Sequence, residues 1–161
     1  MNKSLKSLLI APIALAIGLV ALPVDTRADG HFENMINARQ GYYRVVLHNA
    51  GILFGMAKGD VEYDAAKAQT AADNLSKISS LDVSSMWAPG TSKEEMPGKT
   101  RALKKIWDTW PAIGEKSTAW KNAISDLTDV ASMGLDDLRP KVGALGASCK
   151  GCHDEFRAEN F

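Results

Sequence analysis

The spacing of apolar residues constrains this chain more than any other feature. No stretch alternates apolar and polar residues as a half-buried strand would. Four segments instead repeat them every three or four positions, the period of one helix face. Over residues 32–58, Met35, Arg39, Tyr43, Val46, Ala50, Leu53 and Ala57 share one stripe, and Gly59-Asp60 ends it. Residues 64–81 set Ala65, Ala68, Ala72, Leu75 and Ile78 at the same interval, and so many alanines suit a helix that packs closely on a neighbour. The third segment covers residues 102–131, where Pro111 must bend or restart the helix because it lacks an N–H and clashes with the preceding turn. The fourth covers residues 136–157, with Asp136 as N-cap and Pro140 acceptable only in the first turn. Between the second and third segments, Pro89-Gly90 and Pro97-Gly98 interrupt residues 82–99 with turns. Two short connections and one long one predict an all-α, antiparallel four-helix bundle.

The amino terminus follows a different pattern. Lys3 and Lys6 precede an apolar run from Leu8 to Leu22, and Thr26-Arg27-Ala28 offers small residues where a signal peptidase reads. The run, about 15 residues, falls short of the approximately 20 that span a bilayer. Residues 1–28 are therefore expected to be a secretory signal removed after Ala28, leaving residues 29–161 as one periplasmic domain with no membrane span. The full chain carries 19 basic and 19 acidic side chains. Loss of the leader leaves a net charge of about −2, which speaks against a nucleic-acid partner.

Only two cysteines are present, within Cys149-Lys150-Gly151-Cys152-His153. For an exported chain, a pair this close is a poor framework for a structural disulfide. A redox C-x-x-C normally accompanies a strand–helix–strand pattern, which is missing here. A zinc site needs four ligands, and beyond this motif only His31 and His48 remain, with no second cysteine pair. Two thiols at this spacing can instead add to the two vinyl groups of one haem, with the adjacent histidine beneath the ring. Cys149 and Cys152 are read as the thioether positions of a single covalent haem c near the carboxyl terminus, and His153 as the ligand to its iron.

The residues around this motif resemble the cytochrome c′ family, the class II c-type cytochromes, which are exported four-helix bundles with C-x-x-C-H close to the carboxyl end. Val142-Gly143 and Gly146-Ala147-Ser148 through Arg157 are similar to that family's last helix. Arg39-Gln40 followed by Tyr42-Tyr43 is similar to its first, and Tyr63-Asp64-Ala65-Ala66 and Pro89-Gly90-Thr91 also fit. The likeness covers residues 31–158, with Phe156 standing where the family commonly has tyrosine. It implies that Arg157 lies near the iron ligand and tunes it, that Arg39 and Gln40 approach a haem propionate, and that Thr91 and Glu95 sit near the haem edge. It implies as well that Tyr43 faces the open side of the iron, excluding water and admitting small uncharged diatomics, with Tyr42 as the alternative. Trp87, beside the Pro-Gly loop, is the tryptophan expected against the haem, and most of the other tryptophans are expected in the core.

Two functions stay open at this point. One is a one-electron carrier that cycles Fe(III)/Fe(II) with periplasmic redox partner proteins. The other is a protein that binds nitric oxide and carbon monoxide at a high-spin, five-coordinate iron. Met35 is the rival sixth ligand, which would make a low-spin His/Met carrier. Eight residues of helix, roughly 12 Å, separate it from Tyr43, so the two cannot share the iron. No distal histidine or acid is placed to break a peroxide bond, so no enzyme is expected. The resemblance further implies a homodimer through the first two helices, with the alanines of the second allowing close contact.

Overall fold

The computed structural model describes residues 26–161. Residues 1–25 of the expected leader lie outside the described residues, and Thr26 to Ala28 fall in the first helix. The elements are α1 (Thr26–Lys58), α2 (Ala65–Ser79), a 3-10 turn (Ser84–Met86), α3 (Lys105–Asp108), α4 (Trp110–Thr128) and α5 (Leu135–Phe156). The four long helices close a ring in which α1 packs on α2, α2 on α4, α4 on α5 and α5 on α1. The chain therefore forms the four-helix bundle that its periodicity predicts.

Local chemistry sets most boundaries. The Asp64 carboxylate accepts a hydrogen bond from the Lys67 N–H at 3.0 Å, capping α2. Gly59 ends α1 with φ of 84°, a left-handed conformation that glycine adopts without a Cβ clash. Pro111 restarts the third segment as expected: the helix breaks at Thr109, and the proline occupies the first turn of α4, where its missing N–H has no helical partner to serve. The same segment begins later than expected, because residues 100–104 run toward the end of α5 before the short α3 forms.

Three expectations need correction. α5 starts at Leu135 with Gly134 as N-cap, not at Asp136, so Pro140 lies inside the helix beyond its first turn. That leaves the Asp136 carbonyl without its i+4 donor, and since Asp136 and Pro140 are both exposed, solvent can satisfy it. Most of the α2 alanines expected at a dimer contact serve the bundle instead: Ala68, Ala71 and Ala72 are buried within it, drawing α2 onto its neighbours, Ala65 is half-buried and Ala66 is exposed. Finally, none of the tryptophans is fully buried. Trp87, Trp107 and Trp120 are half-buried and Trp110 is exposed. Helices held close by alanine leave gaps of leucine size, which Leu53, Leu75, Leu127, Leu138 and Leu145 fill. Each such side chain stabilises the fold by about 1.5–3 kcal/mol, and an indole is too large to share those gaps.

The long connection is not a free loop. Gly90 (φ of 92°) presses its backbone against Phe32, whose ring carbons lie 3.1 Å from where a Cβ would stand. Lys99 pairs with Glu33 of α1 at 2.6 Å, and Trp107 Nε1 donates to the Trp87 carbonyl at 2.9 Å. This connection closes one flank of the space between α1 and α5.

Candidate functional site

The carboxyl-terminal helix carries the reactive groups. Cys149 and Cys152 lie three residues apart, which places both thiols on one face of α5 a single turn apart, and His153 follows directly. All three are half-buried, and both cysteines are free. Burial is the leading cause that lifts each thiol above its ordinary pKa, so both rest protonated. The His153 ring moves the other way: burial lowers its pKa first, followed by the charges of Arg157 and Arg101, against Asp154. Lowered from 6.5, it is neutral at pH 7 and keeps a nitrogen lone pair for a metal.

Tyr43 of α1 faces the same space. Tyr43 is 44% exposed, and its phenol pKa is raised, first by burial and then by Tyr42, Cys152 and Cys149, with Arg39 opposing. Its ring stands edge to face with Tyr42 and Trp87, with centroids 5.0 and 6.5 Å away. Tyr42 turns away from that space: its hydroxyl donates to the Ile78 carbonyl at 3.3 Å and its ring packs on the bundle core. Of the two tyrosines, Tyr43 is the one whose phenol the two cysteines influence.

One turn before Tyr43, Arg39 is 4% exposed. Its Nη1 donates to the Met86 carbonyl at 3.3 Å and to Thr91 Oγ1 at 3.2 Å. Its Nη2 donates to the Thr91 carbonyl and to Thr100 Oγ1, each at 3.0 Å. The guanidinium also lies 4.4 Å from the centroid of the Trp87 ring. Burial lowers its pKa to about 10, so it remains charged, although each of these partners is neutral. A buried cation without a counter-charge is costly, and an anionic group placed beside it would relieve that cost. Gln40 donates to the Lys99 carbonyl at 2.7 Å.

The remaining loop residues brace the connection. Thr91 is fully buried, accepts from Arg39 at both its carbonyl and hydroxyl, and donates to the Ala88 carbonyl at 2.7 Å. Glu95 is exposed, and with Ser92 it forms a reciprocal pair: the Ser92 N–H donates to the carboxylate at 3.3 Å and the Glu95 N–H to the serine hydroxyl at 3.2 Å. The Trp87 and Tyr43 rings form a T-shaped pair with centroids 6.5 Å apart. Sequence reasoning missed Met86, Thr100 and Trp107 as supports of Arg39, since a backbone carbonyl or a lone hydroxyl leaves no pattern.

On the far side of His153, Arg157 is the first residue past α5, and its N–H donates to the His153 carbonyl at 3.1 Å. Phe156 is fully buried, and the Lys105 ammonium sits 5.4 Å from its ring centroid. His31 and His48 are exposed, as expected of solvated side chains. Met56 is in the core and Met133 is exposed.

Two thiols one turn apart, a neutral histidine beside them, an aromatic wall opposite and an uncompensated buried cation suit a covalently held haem with its propionates. Comparison with known proteins agrees. The family model for cytochrome C' matches residues 34–157. A cytochrome c′ of Cereibacter sphaeroides is 37% identical over 147 residues, covering 91% of this chain and 97% of its own length. Among solved structures, a cytochrome c′ from Rhodobacter matches with a TM-score of 0.78 at 37% identity, covering 80% of this chain and 98% of that one. A ferrous variant of cytochrome c′ from Alcaligenes xylosoxidans with nitric oxide bound matches at 0.69 and 28% identity, covering 80% of this chain and 97% of its own. With a four-helix bundle, a C-x-x-C-H turn in its last helix and a family match over residues 34–157, the chain belongs to the cytochrome c′ family of haem c-type cytochromes.

Proposed function

We propose that the protein is a periplasmic cytochrome with one haem c, held by thioethers from Cys149 and Cys152 and ligated by His153, with the opposite face of its iron open toward Tyr43. When bound, haem supplies one-electron redox chemistry and a metal that takes small ligands. Its role is to bind nitric oxide and carbon monoxide at five-coordinate, high-spin iron and to pass single electrons to redox partner proteins. Export rests on the reading of residues 1–28 as a leader.

The observation that carries this reading is the position and charge state of Tyr43. It stands one turn past Arg39 on α1, edge to face with Trp87, and burial is the first cause of its raised pKa. A neutral phenol is a weak iron ligand, so Tyr43 screens the face without occupying it. Anions lose hydration on entering such a space, whereas uncharged diatomics lose little. Arg39, capable of a charge-assisted bond to a propionate, and Trp87 hold the flank. Met35 lies two turns back along α1, roughly 12 Å from Tyr43.

Absorption spectra of the purified protein, ferric and ferrous, before and after carbon monoxide or nitric oxide, test the proposal. High-spin spectra that shift with either gas are expected. Low-spin ferrous spectra with sharp α and β bands and no shift would reject the open site and make electron transfer through a six-coordinate iron the better account.

The outer face of α1 and the connection that follows it support a homodimer. Leu47 and Val61 are more than half exposed, and Leu47 reaches 67%. Beside them runs a groove lined by Gly51, Ile52, Gly55 and Val61. Leu47→Glu places a charge on that face without touching the core, and should convert a dimer at micromolar concentration to a monomer by sedimentation. A wild-type protein that sediments as a monomer contradicts the dimer outright.

A further inference from the structure

The connection between α2 and α3 does more than flank the Tyr43 side. After Lys99 the chain turns back and runs against the residues that follow His153. The Leu103 N–H donates to the Phe156 carbonyl at 3.0 Å, and the Ala158 N–H donates to the Arg101 carbonyl at 2.8 Å. Ala102 and Arg157 thereby form an antiparallel bridge, the one β-type pairing among the described residues. Lys93 adds two ties, its N–H to the Ala102 carbonyl at 2.7 Å and its ammonium to the Asn160 carbonyl at 2.5 Å. The backbone of Arg101 is therefore fixed in register with the chain just beyond the iron ligand.

Its side chain is held as firmly. Arg101 is half-buried, its Nη1 donates to the Glu159 carbonyl at 3.0 Å, and its guanidinium lies 5.5 Å from the centroid of the Phe161 ring. Neither Arg101 nor Arg157 makes an ion pair among the described residues. The bridge lays Arg101 alongside Arg157 and Ala158, one turn past His153, so two arginines stand on this side of the ligand. Arg157 was legible in the sequence from its place one turn after His153. Arg101 was not, because only the bridge brings it there.

We propose that Arg101 is a second positioning cation on the proximal side, delivered by the bridge, which acts through His153 to favour the reduced state of the iron. The inference rests on the haem reading above. Adding one electron removes one unit of positive charge at the metal, so a fixed cation nearby stabilises the product of that reduction relative to the oxidised form. Because Arg101 is half-buried, bulk water screens its charge less than that of a fully exposed side chain.

The test is the midpoint potential of the haem-loaded protein by spectroelectrochemistry at low ionic strength, for wild type, Arg101→Gln and Arg101→Lys. Glutamine keeps the backbone bridge and removes the charge. Arg101→Gln should shift the ferrous/ferric equilibrium three- to tenfold toward ferric, roughly 28 to 59 mV at 59 mV per tenfold. Arg101→Lys should restore most of that shift, and the difference between wild type and Arg101→Gln should shrink in high salt. An unchanged midpoint in haem-loaded Arg101→Gln overturns the proposal while leaving the haem reading intact. A lysine variant that falls as far as glutamine also overturns it, since the guanidinium fork rather than the charge would then matter. A wild-type protein that carries no haem overturns both readings together.

Discussion

Arg39→Met should lower the melting temperature of the haem-loaded protein by about 10–20 °C. Methionine preserves much of the apolar contact with Trp87 but removes all four side-chain hydrogen bonds that reach the connection. The carbonyls of Met86 and Thr91 lose these donors, as do the hydroxyls of Thr91 and Thr100, both in buried residues. Each buried polar group left unsatisfied costs about 1–3 kcal/mol, and relaxation of the loop recovers part of the sum, leaving roughly 3–5 kcal/mol. For a domain of this size, each kcal/mol moves the midpoint by approximately 3–5 °C. Arg39→Lys should recover only part of the loss, because an ammonium is a compact point charge and cannot span two hydroxyls and two carbonyls as a planar fork does. Circular dichroism melts of the three proteins provide the measurement. A melting temperature for Arg39→Met within about 3 °C of wild type would mean that the Glu33–Lys99 pair, Gln40 and the bridge to Arg157 hold the connection without it.

The contrast between Arg39 and Arg101 shows what a sequence can disclose. Arg39 sits on a helical stripe with Tyr43, so periodicity alone puts the two on one face, and an arginine on an inward stripe invites a search for its partner. Those partners include a backbone carbonyl of Met86 and two threonines scattered through the connection, which no spacing rule links. Arg101 stands just before the segment whose periodicity predicted a helix from residue 102, and carried no pattern of its own. The chain spends those residues instead on two backbone bonds to the end of α5, a tertiary preference that overrides a local one. The same competition explains α5. Asp136 has the better capping side chain, yet the helix starts at Leu135, where the chain leaves Gly134 at φ of 144°. Elements set by local repetition, the four bundle helices and the C-x-x-C-H turn, were legible. Those set by contacts between distant segments were not.

Replacing both Cys149 and Cys152 with alanine should abolish haem retention on a denaturing gel, whereas His153→Ala should leave it. The two effects separate because the three side chains do different work from one turn of helix. Thioethers survive unfolding, so a haem held by even one of them travels with the polypeptide, and each single cysteine variant should keep a weakened band. In the proposed site, ligation by His153 needs the folded helix and the neutral ring that burial and the neighbouring arginines favour. His153→Ala should therefore change the ferrous spectrum and lower the midpoint of thermal unfolding while the band on the gel persists, since a ligand that binds only the folded state adds to its stability. The double variant should invert that pattern, with no band on the gel and at most a loosely bound haem in the folded protein. A band that survives in the double variant would place the attachment outside the C-x-x-C-H turn. Since these are the only two cysteines of the chain, that result would remove the thioether itself and not just its position.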